Sequence, residues 1–116
     1  MKSKKIVRDH FQRRLDDGAS QKTIALEMAY DNPNNISMML SEKYPKSLMS
    51  PNKIPTLCTV CDLSPREAIA VTFARLDDAD GRPIEMSKET LKFLFMQFGR
   101  LTIEHFRLKN DGATPC

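Results

Sequence analysis

Short polar side chains, most of them asparagines, are concentrated in the first third of the chain, and side chains of this type can read the edges of DNA bases. Asn32, Asn34 and Asn35 flank a proline, and Ser37 and Met38 follow within one helical turn. An asparagine amide can both donate to and accept from the N6 and N7 edge of adenine, and a good bidentate contact discriminates between bases by about 1–3 kcal/mol. An asparagine-rich segment with a proline is also typical of a turn. The residue types alone leave both interpretations open.

The positive charge of the chain lies in its N-terminal half. Residues 1–53 contain ten Lys or Arg against six Asp or Glu, whereas residues 54–116 contain eight against nine. This asymmetry favours a front half that faces phosphate and a back half that faces protein. A lysine-rich first helix that is merely solvated would give the same charge pattern.

Three cysteines, Cys58, Cys61 and Cys116, raise the question of a metal or redox site. A structural zinc site needs four ligands, and no second Cys-x-x-Cys or His pair follows the first. The odd number of cysteines also disfavours a disulfide framework. Since Cys58 and Cys61 fall in an apolar stripe after Pro55, we interpret them as reduced core residues. No metal is predicted.

The acidic segment around Gly81 superficially resembles a calcium-binding loop. If Gly81 is aligned with the invariant glycine of such a loop, Leu76 and Ser87 occupy the first and last ligand positions, where carboxylates are required. Enzyme chemistry finds no support either, because His10 and His105 lie at opposite ends of the chain and no nucleophile has a recognisable base partner. We expect neither catalysis nor a cofactor.

Apolar residues recur at helical spacing along the chain and no segment alternates with period two, so the predicted fold class is all-α. Ser20 is a suitable N-cap, Ser64-Pro65-Arg66-Glu67 reads as a capping box, and Ser87 is expected to cap the last helix. Residues 41–50, with Pro45, are predicted to form a loop. The predicted helices, in chain order, are Ser3 to about Asp17, Ser20 to near Tyr30, a third with Ile36, Met39 and Leu40 facing inward, Pro51 to about Cys61, Pro65 to Leu76, and Lys88 to about Leu108.

Three segments together resemble the phage-repressor-like (Cro-type, XRE) helix-turn-helix family. Residues 20–29, Ser-Gln-Lys-Thr-Ile-Ala-Leu-Glu-Met-Ala, are similar to its S-Q-x-x-L-A-x-x-L-G signature, and residues 34–37, Asn-Asn-Ile-Ser, are similar to its T-I-S stretch. Residues 53–65 resemble its fourth helix and the turn after it. The resemblance covers residues 4–76. It departs from the family at Ala29, where glycine is usual, and in a turn that is one residue longer.

This resemblance implies a five-helix DNA-binding domain over residues 1–76, in which the start of the third helix enters the major groove. The five polar or flexible residues named above would then meet bases. Gln21 would hold a phosphate, with Lys22, Lys43 and Lys46 as further phosphate contacts. The implied function is that of a sequence-specific transcriptional regulator, a repressor, of bacterial or phage origin, whose partner is double-stranded DNA.

The predicted C-terminal helix is too apolar for a helix with one neighbour. Six positions recur at alternating spacings of three and four residues and form a coiled-coil-like seam: Leu91, Leu94, Phe98, Leu101, His105 and Leu108. We expect residues 77–116 to form a linker and a dimerisation helix, one side covering the core and the other meeting a second copy. A twofold dimer predicts a palindromic operator with half-sites about 34 Å apart. A helix packed wholly within a monomer is the alternative.

The same apolar helix supports a rival function, a protein-interaction module such as an antitoxin, an antirepressor or a phage-encoded inhibitor. No apolar run approaches the roughly 20 residues that cross a bilayer, and the basic N-terminus is not followed by an apolar stretch. We therefore expect a cytoplasmic protein with no membrane association.

Overall fold

A computed structural model describes residues 2–44 and 49–106, and within these ranges the chain is all-helical. The all-α class predicted from the sequence is confirmed for this part of the chain. Six α-helices and one 3-10 turn follow one another: α1 (Lys2–Asp16), α2 (Gln21–Glu27), α3 (Asn34–Leu40), the 3-10 turn (Pro51–Lys53), α4 (Ile54–Val60), α5 (Pro65–Ala79) and α6 (Lys88–His105).

Serine side chains start three of the helices, as the sequence predicts. The backbone N–H of Thr23 donates to Ser20 Oγ at 3.1 Å, and Ser87 caps α6 in the same way. At α5 the capping box is complete, because Glu67 N–H donates to Ser64 Oγ at 3.2 Å and Ser64 N–H donates to Glu67 Oε1 at 3.0 Å. These bonds satisfy backbone donors that a helix N-terminus leaves free.

The predicted helix ends are less accurate than the starts. The second helix ends at Glu27, not near Tyr30, because Ala29 adopts a left-handed backbone conformation with φ 59°. The predicted fourth helix begins with a 3-10 turn over Pro51–Lys53. In the predicted loop, residues 41–44 and 49–50 are non-helical, whereas Pro45 lies outside the described residues.

The fifth helix was predicted to end at Leu76 but continues to Ala79. The polar composition of the next residues misled the prediction, since Asp78 has a structural role: its carboxylate accepts the backbone N–H groups of Lys2 at 2.8 Å and Ser3 at 3.0 Å. The start of α1 is thereby capped by the end of α5. The helix then stops at Asp80, which has φ 51°.

A single cluster of buried apolar side chains joins the first five helices. Its largest fully buried members each contribute about 1.5–3 kcal/mol through removal of apolar surface from water. They are Val7, Phe11, Ile24, Met28, Ile36, Ile54, Leu57 and Val71.

Cys58 and Cys61 belong to this cluster, as predicted, and both thiols are free. Burial raises the pKa of Cys58 to about 12 and that of Cys61 to about 11. Reactivity and metal binding require the thiolate, so these thiols are held in their unreactive form. Cys116 lies outside the described residues.

Helix α6 packs on α4 and α5 through one side. Thr90 and Gln97 are buried on that side, and Phe93 and Leu94 pack against the edge of the core. Over the described ranges, no helix combines the length and apolar character that crossing a membrane requires.

Candidate nucleic-acid interface

Helices α2 and α3 pack against each other and are joined by a turn of six residues, 28–33. Ile24 and Ala25 of α2 and Ile36 of α3 are buried at their inner sides. The small side chain of Ala25 allows close approach of the two helices. The outer sides of both helices carry mostly polar residues, with Leu26 of α2 as an exposed apolar exception.

Ala29, the second residue of the turn, has the left-handed backbone conformation that ends α2. Its N–H donates to Leu26 O at 3.1 Å, and the N–H of Tyr30 donates to Ala25 O at 2.9 Å. This pair of bonds closes the C-terminal end of α2 and needs a left-handed residue between the helix and Tyr30. An L-residue with a Cβ pays a conformational penalty there.

Lys53 holds the turn from outside. Its Nζ donates to Met28 O at 2.8 Å and to Ala29 O at 3.4 Å, and it lies 5.1 Å from the centre of the Tyr30 ring. The ammonium therefore satisfies carbonyls that the end of α2 leaves free. Nothing in the sequence pattern indicates this role, because Lys53 is distant along the chain from the turn.

Arginines of α1 neutralise two of the acidic side chains near α2 and α3. Arg14 donates to both carboxylate oxygens of Glu27 at 3.0 Å, and Arg8 pairs with Glu42 at 3.1 Å. The hydrogen bond from Arg14 lowers the pKa of Glu27, so this carboxylate stays ionised and paired. Within the described ranges neither Lys22 nor Lys43 makes an ion pair.

The predicted base-contacting residues lie at the start and along one side of α3. Asn32, Asn34, Asn35 and Ser37 are exposed, whereas Met38, expected on the same exposed face, is half-buried. Asn32 has a local partner, because its Oδ1 accepts the backbone N–H of Asn34 at 2.9 Å. This bond lies at the start of α3. The side chains of Asn34 and Asn35 belong to the first turn of the helix.

A hydrogen bond joins α2 to α3 at the outer surface. Ser37 Oγ donates to Gln21 Oε1 at 2.9 Å. The structure thus brings together one residue predicted to hold a phosphate and one predicted to face bases. Gln21 lies at the first position of α2, where helical N–H groups are free.

An open groove runs beside α3, and four of the predicted site residues line it. Its volume is about 440 Å³, and its lining consists of Asn34, Ser37, Met38, Ser41, Lys43 and Tyr44. Lys22 is exposed on α2 but is not part of this groove. Lys46 lies outside the described residues.

The chain after α3 is fixed beside the groove by a buried lysine that sequence reasoning missed. Lys4 Nζ donates to Ser41 O at 2.7 Å and also to Tyr44 O. Burial, followed by the charge of Arg8, lowers the pKa of Lys4. Because the ammonium has carbonyl partners on both sides of Lys43, it holds the segment that carries Lys43 beside the groove.

The residues of the predicted dimer seam do not share one environment. Leu91, Phe98 and His105 are exposed, whereas Leu94 and Leu101 are half-buried. Leu108 lies outside the described residues. The seam therefore straddles the border between the packed side and the free side of α6.

Comparison of the chain with protein-family models, with curated proteins and with solved structures finds no match. Function is accordingly inferred from the residues themselves and from their arrangement.

Proposed function

We propose that this protein is a sequence-specific DNA-binding transcriptional regulator, a repressor of bacterial or phage origin, that reads DNA through α2, the turn and α3. The observation that carries the proposal is the groove beside α3, where exposed amide and hydroxyl groups lie next to Lys43. Short polar side chains at the start of a helix suit base edges in the major groove. A nearby ammonium suits the phosphate backbone.

In this proposal Asn34 and Asn35 are the principal base readers, because Asn32 already uses its carbonyl oxygen to start α3. Ser37 and Met38 lie further along the groove and contact the next bases. Gln21, Lys22, Lys43 and Lys46 hold phosphates and fix the register of the protein on DNA. The pairing of Glu27 with Arg14 supports this role, since it limits repulsion between the surface and DNA.

The proposed regulator acts as a homodimer. Two copies related by a twofold axis present two α3 helices about 34 Å apart, which corresponds to one turn of DNA and requires a palindromic operator. The apolar character of α6 supports self-association, because several of its large apolar side chains remain exposed after the helix has packed on α4 and α5.

Binding to a duplex that covers the protein's own upstream region tests the proposal. Asn34→Ala and Asn35→Ala are expected to lose about 1–3 kcal/mol of preference for the specific duplex over a scrambled one, since each removes an amide contact to a base. Gln12→Ala removes an exposed amide from α1 and is the control, with no change expected. Equal affinity for both duplexes in the wild-type chain would contradict sequence-specific reading.

One observation favours a second candidate function. Phe95 and Ile103 of α6 are exposed large apolar side chains, and an apolar helix face of this kind also suits a foreign protein. The protein would then be an interaction module such as an antitoxin, an antirepressor or a phage-encoded inhibitor. Stoichiometric copurification of a foreign protein, together with no retention on DNA, would favour this function over regulation.

A further inference from the structure

The side of α6 that faces away from the rest of the molecule is unusually apolar for a surface. We define the outer face of α6 as Phe95, Met96, Gly99 and Ile103, together with Phe106, which directly follows the last helical residue. Among the described residues, the five most exposed large apolar side chains are Ile103 at 81%, Leu26 at 70%, Phe95 and Phe106 at 69% and Met96 at 64%. Three of these five, Phe95, Met96 and Ile103, therefore belong to one face of α6, and Phe106 follows directly after the helix.

Gly99 lies at the centre of this face. It is about 180° around the helix axis from Thr90, which is buried against the rest of the chain. A glycine inside a helix is unfavourable relative to alanine, and here no neighbour among the described residues requires it, since an added Cβ would meet none of them within 4 Å. A glycine among large exposed apolar residues is what a closely approaching helix requires.

We propose that α6 crosses the α6 of a second copy of this chain at Gly99, with the two outer faces in contact. This inference deepens the homodimer of the proposed function and rests on it. It moves the contact from the predicted seam of Leu91, Leu94, Phe98, Leu101, His105 and Leu108 to the outer face, because Leu94 packs against the core and Leu101 is half-buried.

The face is complementary to itself in an antiparallel crossing. Phe95 and Ile103 are each four residues from Gly99, so a twofold axis at Gly99 brings Phe95 of one copy against Ile103 of the other. Lys92 lies two helical turns before Gly99, so the same axis places it at the C-terminal end of the partner helix, which Phe106 follows. Lys92 then lies against the negative end of the partner helix.

A parallel crossing is disfavoured by charge. It would bring Lys92 of the two copies together, and Lys88 one turn further along would likewise meet its own copy. Like charges at such contacts are destabilising. The occupant favoured by these residues is therefore an antiparallel second copy of α6.

The size of the face suits a dimer of ordinary stability. An aromatic side chain carries about 150–250 Å² of surface, so the outer face, with Phe98 and Leu91 at its edge, exposes on the order of several hundred Å². That area approaches the roughly 800 Å² per partner of a standard interface and is large for a monomer that has no partner.

Sedimentation equilibrium of the full chain without DNA tests the crossing. The wild-type chain is expected to be dimeric at micromolar concentration. Gly99→Leu, which separates the helices, and Ile103→Ser are each expected to raise the dimer Kd at least tenfold. Leu26→Ser is the matched control, because Leu26 is as exposed as Phe95 but lies on α2, and it is expected to leave the Kd unchanged. Circular dichroism verifies that each variant stays helical.

Disulfide trapping in a Cys116→Ser background tests the orientation. A mixture of Phe95→Cys and Ile103→Cys chains is expected to form a mixed dimer, because both positions lie within α6 at equal spacing from Gly99, while Lys92→Cys alone is not expected to be trapped. A wild-type chain that stays monomeric, a dimer that ignores both Gly99→Leu and Ile103→Ser, or rapid trapping of Lys92→Cys with itself would each overturn the inference. Since these assays contain no DNA, their failure is distinguishable from a failure of DNA binding.

Discussion

At the scale of single residues, Ala29 and Lys53 determine the geometry of the turn between α2 and α3. Ala29 adopts a left-handed backbone conformation with φ 59°, and Lys53 donates hydrogen bonds to the carbonyl groups that follow α2. The sequence pattern identified Ala29 as the turn position, because of the resemblance around it. It could not identify Lys53, because a contact between residues more than 20 positions apart leaves no local signal.

Replacing Ala29 by glycine is expected to stabilise the protein by about 1 kcal/mol. The left-handed conformation is strained for a residue with a Cβ, whereas glycine adopts it without that penalty. Ala70→Gly is the matched control. Ala70 is exposed in the middle of α5, so the same substitution is expected to destabilise by about 0.5–1 kcal/mol. Urea unfolding of both variants measures the two opposite signs, and destabilisation by Ala29→Gly would contradict the turn geometry.

Lys53→Met keeps the aliphatic stem but removes the ammonium that donates to Met28 O and Ala29 O. We expect a loss of about 1.5–3 kcal/mol of unfolding free energy, the range for hydrogen bonds to charged groups. The Tyr30 contact is lost with it. Lys88→Met, at an exposed position of α6, is the control and should change stability little. Equal stability of the two variants would show that Lys53 does not hold the turn.

At the scale of the helices, the starts were predictable and the ends were not. Ser20, Ser64 and Ser87 act through bonds within their own first turns, so their roles can be read from a few adjacent residues. The end of α5 depends on Asp78, whose partners are at the start of α1. Such a contact extends a helix beyond the point at which its apolar pattern stops.

The contact between Asp78 and α1 gives stability a specific dependence on pH. Burial opposes ionisation of this carboxyl, but hydrogen bonds from Ser3 and Lys2 outweigh burial and lower the pKa of Asp78. Its contribution is complete above the unfolded pKa of about 3.9 and is lost as the pH falls through the lower folded value.

We therefore expect Asp78→Ala to lower the unfolding free energy by about 1 kcal/mol at neutral pH, as for loss of a helix cap. The difference from the wild-type chain should shrink as the pH falls below 3.9. Asp77→Ala, which removes an exposed carboxylate paired with Lys2, is the control and should have little effect. Thermal melts from pH 7 to pH 2 measure both, and a pH-independent difference for Asp78→Ala would be inconsistent with an ionised cap.

At the scale of the whole molecule, the all-α class follows from the spacing of apolar residues, because α1 to α5 bury the side chains that recur at helical spacing, such as Phe11, Ile24 and Leu57. The sides of α6 were harder to predict. That helix is apolar around most of its circumference, so only the positions of α4 and α5 decide that Thr90 is buried and Phe95 exposed.

The sequence predicted residues that line the groove, but it did not predict the side chains that hold the surrounding backbone in place. Asn34, Ser37 and Lys43 line one groove, although they were selected by pattern and resemblance alone. Lys4 holds the segment that carries Lys43. A lysine in this basic first helix is expected to be solvated, but in the structure Lys4 is buried. Side chains that act through distant backbone carbonyls need the fold before they can be recognised.

The most direct test of the central claim is the salt dependence of binding to duplex DNA, measured by fluorescence anisotropy for the wild-type chain and for Lys22→Ala, Lys43→Ala and the control Lys88→Ala. Each phosphate contact contributes about −0.9 to the slope of log K against log salt concentration. We expect steep salt dependence in the wild type, a slope shallower by about 1 in the Lys22 and Lys43 variants, and no change in the control. Absence of binding at low salt, or equal slopes in all four proteins, would contradict DNA recognition by this surface.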